Sequence, residues 1–331
     1  MKAFNTILAI FLVSLGVNSL SMAATLCPNA DLKESLQDCP WAGVARALIQ
    51  TAQSSPEKVP KQFEIALPEI TSQLQADAQL GTFMDLWGQS INYDEYAKGE
   101  IVNPAILKSI YSLAQVDRPV TVDPLIRGSI ERAGLEHTYG YLFSVLSTPF
   151  GYKRARWVQG EIEQGFQLPK QTLSPLTQDG SLFANVTYFA GSIAFLNDEY
   201  EFELLQKDSG SVSKEITDFD YSQLSFTRVE ETVQISDRKI VLRTDLVPFQ
   251  IKPTDNKANS TLLIYSIFDS LLGARLITAF PVQTSFGDGL VKPGTLGDSQ
   301  EITTRYNAYI NGLSGKKILG NRKVVSLKID R

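Results

Sequence analysis

The densest gathering of chemically capable side chains lies between residues 136 and 163: His137, Tyr139 and Tyr141, then Arg154, Arg156, Trp157 and Glu161. His137 is the only histidine, which excludes any mechanism needing two imidazoles and any zinc site with two or three histidine ligands. Set beside Glu161, it could serve as a general base oriented by a carboxylate, or as the polar anchor of a ligand pocket walled by Tyr139, Tyr141 and Trp157. The plainer alternative is a satisfied histidine at a sheet edge. Arg154 and Arg156 have the fork geometry to hold a carboxylate or phosphate, unless acids of the protein itself engage them.

These residues meet only if the chain folds back as a hairpin. From Glu136 to Leu146 one parity carries His137, Tyr139, Tyr141, Phe143 and Val145; Pro149-Phe150-Gly151 marks a turn, and Lys153 to Glu163 reads as the returning strand. Two registers compete. Ser147 opposite Tyr152 would place Arg154 and Arg156 on the apolar face of Tyr139 and Tyr141, where unpaired guanidinium groups are costly to bury. Leu146 opposite Tyr152 sets Tyr141 across from Trp157 and His137 across from Glu161, and is the preferred register.

Other chemistry is mostly excluded. The chain has no G-x-S-x-G, no P-loop, no G-x-G-x-x-G and no H-E-x-x-H, and nothing calls for a cofactor or a metal. Glu199, Glu201 and Glu203 share a parity, but no Asp/Asn-rich calcium loop surrounds them, so a solvated strand face is expected. The net charge of −5 and the lack of a basic tail argue against nucleic acid as a partner. Asn185-Val186-Thr187 and Asn259-Ser260-Thr261 fit the glycan acceptor pattern, although Asn185 falls in a segment that reads as buried.

The compartment is more legible than the activity. Lys2 precedes an apolar run from Ile7 to Val17, and Ser21-Met22-Ala23 supplies small residues for a signal peptidase, so residues 1–23 read as a cleavable leader. The protein is therefore expected to be exported, to the periplasm or beyond, with no transmembrane anchor left after cleavage. Cys27 and Cys39 are the only cysteines; in an oxidising compartment they are expected to pair, stapling the N-terminus.

The elements that must position these groups read as α+β, with a helical region over 24–135 and a β-rich, mostly antiparallel region over 136–331. Pro40 opens a helix whose stripe is Trp41, Val44, Ala45, Leu48 and Ala52; Ser54 with Glu57 reads as a capping box for the next, with a break near residue 67 ahead of Pro68. Asn103-Pro104 and Asp123-Pro124 read as two further helix starts, the second leading through Ile126 and Ile130. Strands are expected over 182–189, 192–196, 229–235, 240–244, 262–268, 276–282 and 324–329. Those at 182, 262 and 276 are apolar on both parities and should be central. The expected function is non-enzymatic binding of a small or extended ligand, or of a partner protein, with an unfamiliar hydrolase using His137 and Glu161, or a structural envelope role, as alternatives.

Overall fold

The computed structural model describes residues 40–95, 97–116, 126–144, 147–148, 151–152, 161–173, 179–250, 259–291 and 300–329. The fold is α+β, with helices first and a large antiparallel sheet later in the chain. Pro40 opens α1 (Pro40–Ser54), and Ala45, Leu48 and Ala52 of the expected stripe are buried. The capping box does not form: Ser54 Oγ donates back to Gln50 O at 2.9 Å, and α2 (Val59–Ala66) starts without a side-chain cap. The chain breaks at Leu67, as Pro68 requires, and restarts as α3 (Pro68–Asp77), followed by the short α4 (Gly81–Asp85). Asn103 caps α5 (Pro104–Leu113), its side chain accepting the Ala105 N–H at 2.9 Å. Asp123-Pro124 lies outside the described residues, and Ile130, expected in a helix, opens strand β2 (Ile130–Arg132). β2 pairs with β1 (Gln89–Ile91), which also pairs with the distant β10 (Ala308–Tyr309).

The aromatic strand expected over 136–146 is not a strand. The segment forms α6 (Ala133–His137) and a 3-10 turn over Gly140–Phe143. Every residue from Ala133 to Ser144 is buried, and alternation has no diagnostic value in a segment covered on all sides. The remaining ladder is short: β3 (Ser147–Thr148) pairs with β4 (Gly151–Tyr152), with Ser147 opposite Tyr152 rather than the preferred Leu146. The objection to that register disappears because Tyr139 and Tyr141 are not on the ladder. Arg154, Arg156 and Trp157 lie outside the described residues. Glu161 opens α7 (Glu161–Gly165) instead of continuing a strand, so no ladder sets it across from His137.

The strands expected at 182–189 and 192–196 are one helix, α8 (Leu182–Ala194), buried along its whole length. A run apolar on both parities carries no clear period, and its length favours a helix over a strand. Gly191 does not break it; a Cβ there would lie 2.8 Å from Leu205, so the glycine admits the close approach of α9 (Glu199–Lys207). Glu199, Glu201 and Glu203 therefore sit on a helix, not on a strand face. α10 (Lys214–Thr217) packs on α8.

The sheet runs in the order β8-β7-β6-β5-β11-β9, antiparallel throughout: β5 (Ser225–Ile235), β6 (Arg238–Gln250), β7 (Asn259–Asp269), β8 (Gly273–Gln283), β9 (Gln300–Ile302) and β11 (Ile318–Lys328). One face carries Leu262, Ile264 and Leu276 into the helical core. The other carries Leu263, Tyr265 and Ile277 against Phe286 and Leu290 of α11 (Thr284–Val291) and against Ile302, Ile310 and Leu313. β7 is thus covered on both faces, as its double apolar parity requires. β8 has the same pattern yet ends the sheet; its outer edge is covered instead by residues 86–88, with Leu276 N–H donating to Leu86 O at 2.7 Å and Gly88 N–H to Leu276 O at 2.8 Å.

Candidate functional site

That edge contact positions a concave site. Gly88 lets the chain run tight over β8, since a Cβ there would lie 2.7 Å from Ile277. Trp87 is thereby pressed inward, where its indole N–H donates to Thr187 Oγ1 of α8 at 2.8 Å. Around it opens a cleft of about 460 Å³. α4 contributes Asp85, β2 contributes Arg132, α9 contributes Tyr200 and Lys207, and β8 contributes Arg275.

Three cations face one carboxylate in this cleft. The Arg132 backbone is held by Tyr111, whose hydroxyl accepts the Arg132 N–H at 2.9 Å, while Arg132 Nε is buried with no hydrogen-bond partner. Arg275 donates to its neighbour's carbonyl, Ala274 O, at 2.7 Å. Among the described residues no carboxylate reaches ion-pair distance of Arg132, Lys207 or Arg275. α9 is fixed above them by Glu201, which accepts the Ala274 N–H at 2.8 Å, and by Asp198, which takes Arg243 at 2.5 Å. Cationic groups that line one cleft without carboxylate partners fit an anionic ligand.

A second polar cluster lies deeper. Asp77 at the end of α3 accepts hydrogen bonds from Ser181 Oγ at 2.5 Å and from Tyr139 Oη at 2.6 Å. Burial pushes its pKa up to about 6, against the opposing pull of the Ser181 and Tyr139 hydrogen bonds. The Tyr139 hydroxyl is driven well above its ordinary range by burial and by the neighbouring Asp77. A hollow of about 170 Å³ adjoins the cluster beside Gln73 and Ser211. Ser181 is a helix cap here, since its Oγ also accepts the Ala184 N–H at 3.0 Å at the start of α8.

The residues singled out by sequence are distributed rather than assembled. His137 is buried and stacks on Tyr141, with ring centroids 4.4 Å apart and planes 22° apart. Tyr139 belongs to the Asp77 cluster. Glu163, adjacent to Glu161 on the expected strand, accepts the Leu173 and Gln171 N–H groups and is pushed up in pKa by burial. Cys27 and Cys39 lie outside the described residues. None of the cleft residues was legible beforehand, because Asp85, Arg132, Lys207 and Arg275 come from four separate segments and each reads alone as a surface charge. Among the described residues no group of His, Cys, Asp or Glu is placed to hold a metal ion, and no helix is long and apolar enough to cross a membrane. No protein family, curated protein or solved structure matches the chain.

Proposed function

We propose that this is an exported binding protein whose cleft over β8 takes a compact anion bearing carboxylate or phosphate groups. The observation that carries the reading is the convergence of Arg132, Lys207 and Arg275 on one cleft without ion-pair partners, against the single carboxylate of Asp85. The exposed ring of Tyr200 gives the ligand an apolar wall. Export is supported by the leader-like residues 1–23. The fork geometry of two guanidinium groups favours planar or tetrahedral oxyanions, and the point charge of Lys207 adds attraction without directional demand.

Isothermal titration with inorganic phosphate and with citrate tests this. At least one should bind, and the double variant Arg132→Gln/Lys207→Gln should weaken it about tenfold or more, since each lost charge-assisted hydrogen bond counts for about 1.5–3 kcal/mol. Binding that is absent for both probes, or indifferent to the variant, would sink the reading.

A further inference from the structure

The hairpin turn beside this cleft carries side chains that its geometry does not call for. Asp269 starts the turn, its Oδ1 accepting the Leu271 N–H at 2.9 Å and its carbonyl accepting the Leu272 N–H at 3.2 Å. Gly273 ends it at φ +75°, in the left-handed region that such turns require. Polar residues would serve equally well between them. Instead Leu271 and Leu272 occupy the tip, 72% and 59% exposed.

The tip and the cleft form one surface. Arg275 folds back along the turn, its Nη1 only 3.3 Å from where a Cβ on Gly273 would stand. The bond from Ala274 N–H to Glu201 fixes the start of α9 against the same turn, bringing Tyr200, 66% exposed, to the same end of the molecule. Two leucines and a tyrosine thus project next to three cations.

We infer that this end docks on an anionic lipid surface, with Leu271 and Leu272 inserted into the interfacial layer and a lipid phosphate held in the cleft. The inference rests on the anion-binding reading of the cleft. Three projecting side chains are too little for a stable protein interface, which needs about 1,000 Å² of buried surface, but apolar side chains beside basic ones suit a headgroup boundary. The chain's net charge of −5 opposes approach of an anionic membrane from elsewhere, so the cationic end sets the orientation.

Co-sedimentation of the full chain with vesicles of mixed phosphatidylglycerol and phosphatidylcholine, and of phosphatidylcholine alone, tests the docking; phosphate titration reads the cleft separately. The protein should sediment with the mixed vesicles only. Leu271→Ser/Leu272→Ser should weaken vesicle binding about tenfold or more and leave phosphate binding and near-UV circular dichroism unchanged. Lys207→Gln/Arg275→Gln should weaken both kinds of binding. Phosphate binding without sedimentation overturns the lipid inference and keeps the cleft reading; sedimentation without phosphate binding overturns the headgroup assignment, and the cleft reading falls with it when citrate does not bind either. Vesicle binding indifferent to the leucines, or equal on phosphatidylcholine alone, overturns the inference as well.

Discussion

Asp77 is held among α3, the turn at Tyr139 and the cap of α8 by two hydroxyl donors, yet burial still raises its pKa from 3.8 to about 6. The folded state therefore holds this proton more tightly than the unfolded chain does. Its contribution to stability is fullest below about pH 4, declines as pH rises through about 6, and is flat above that. A shift of this size corresponds to roughly 3 kcal/mol. Asp77→Asn removes the titration while keeping one oxygen acceptor, so the stability difference between variant and wild type should move in the variant's favour by roughly that amount between pH 4 and pH 7. Urea unfolding across the range measures it, and parallel curves would show that Asp77 does not titrate within it. Asp77 is not legible in the sequence, because a single aspartate near the end of a helix reads as solvated and its partners Tyr139 and Ser181 lie far along the chain. On the expected strand Tyr139 keeps aromatic company; in the fold its hydroxyl meets a carboxylate.

Between elements, the most demanding contact joins α8 to the sheet. Arg228 of β5 is buried and forks onto Asp245 of β6, with Nε to Oδ1 at 2.6 Å and Nη2 to Oδ2 at 2.9 Å. Nη2 also donates to Ala194 O at 2.8 Å and Ile193 O at 3.2 Å, satisfying carbonyls at the C-terminal end of α8. Burial raises the pKa of Asp245 against the pull of Arg228, so the carboxylate depends on its partner. Arg228→Met should cost about 3–5 kcal/mol, and adding Asp245→Leu should recover part of it, because the penalty lies in the orphaned charge. Urea melts of both variants check this; a single-variant loss below about 1 kcal/mol would mean water reaches the site. The sheet itself was legible, since β5 to β8 alternate or run apolar between clear turns. α8 was not, because Val186, Tyr188, Phe189 and Ile193 are good strand formers and only the length of the run and the cap at Ser181 signal a helix. Nor was the helical turn at 133–137: Gly134 sits where a Cβ would come within 2.8 Å of Trp87 and Phe183, a constraint of packing that no local pattern announces.

At the scale of the molecule, the helical and β-rich regions are not separable bodies. One core cluster runs from Ala45 in α1 through Leu107, Leu135 and Phe183 to Leu276 in β8 and Ile329 beyond β11. The chain's last long strand, β11, lies inside the sheet between β5 and β9, and β10 returns to pair with β1 among the helices. Residues 86–88 cover the edge of β8 that would otherwise be an open ladder. Removing either region would expose apolar surface of the other: β8 would lose its edge cover, and Phe63 of α2 would lose Phe143, whose ring centroid lies 5.2 Å away. The described chain should therefore unfold in one cooperative transition, with near-UV and far-UV circular dichroism giving coincident urea midpoints. Residues 24–135 and 136–331 expressed apart should each lack a sharp transition. Two separated midpoints in the intact protein, or a cooperative melt from either fragment, would show that the shared core from Ala45 to Ile329 does not couple the two regions. The same coupling bears on function, because the cleft draws Asp85 and Arg132 from one region and Lys207 and Arg275 from the other. Loss of anion binding should track the single unfolding transition rather than precede it.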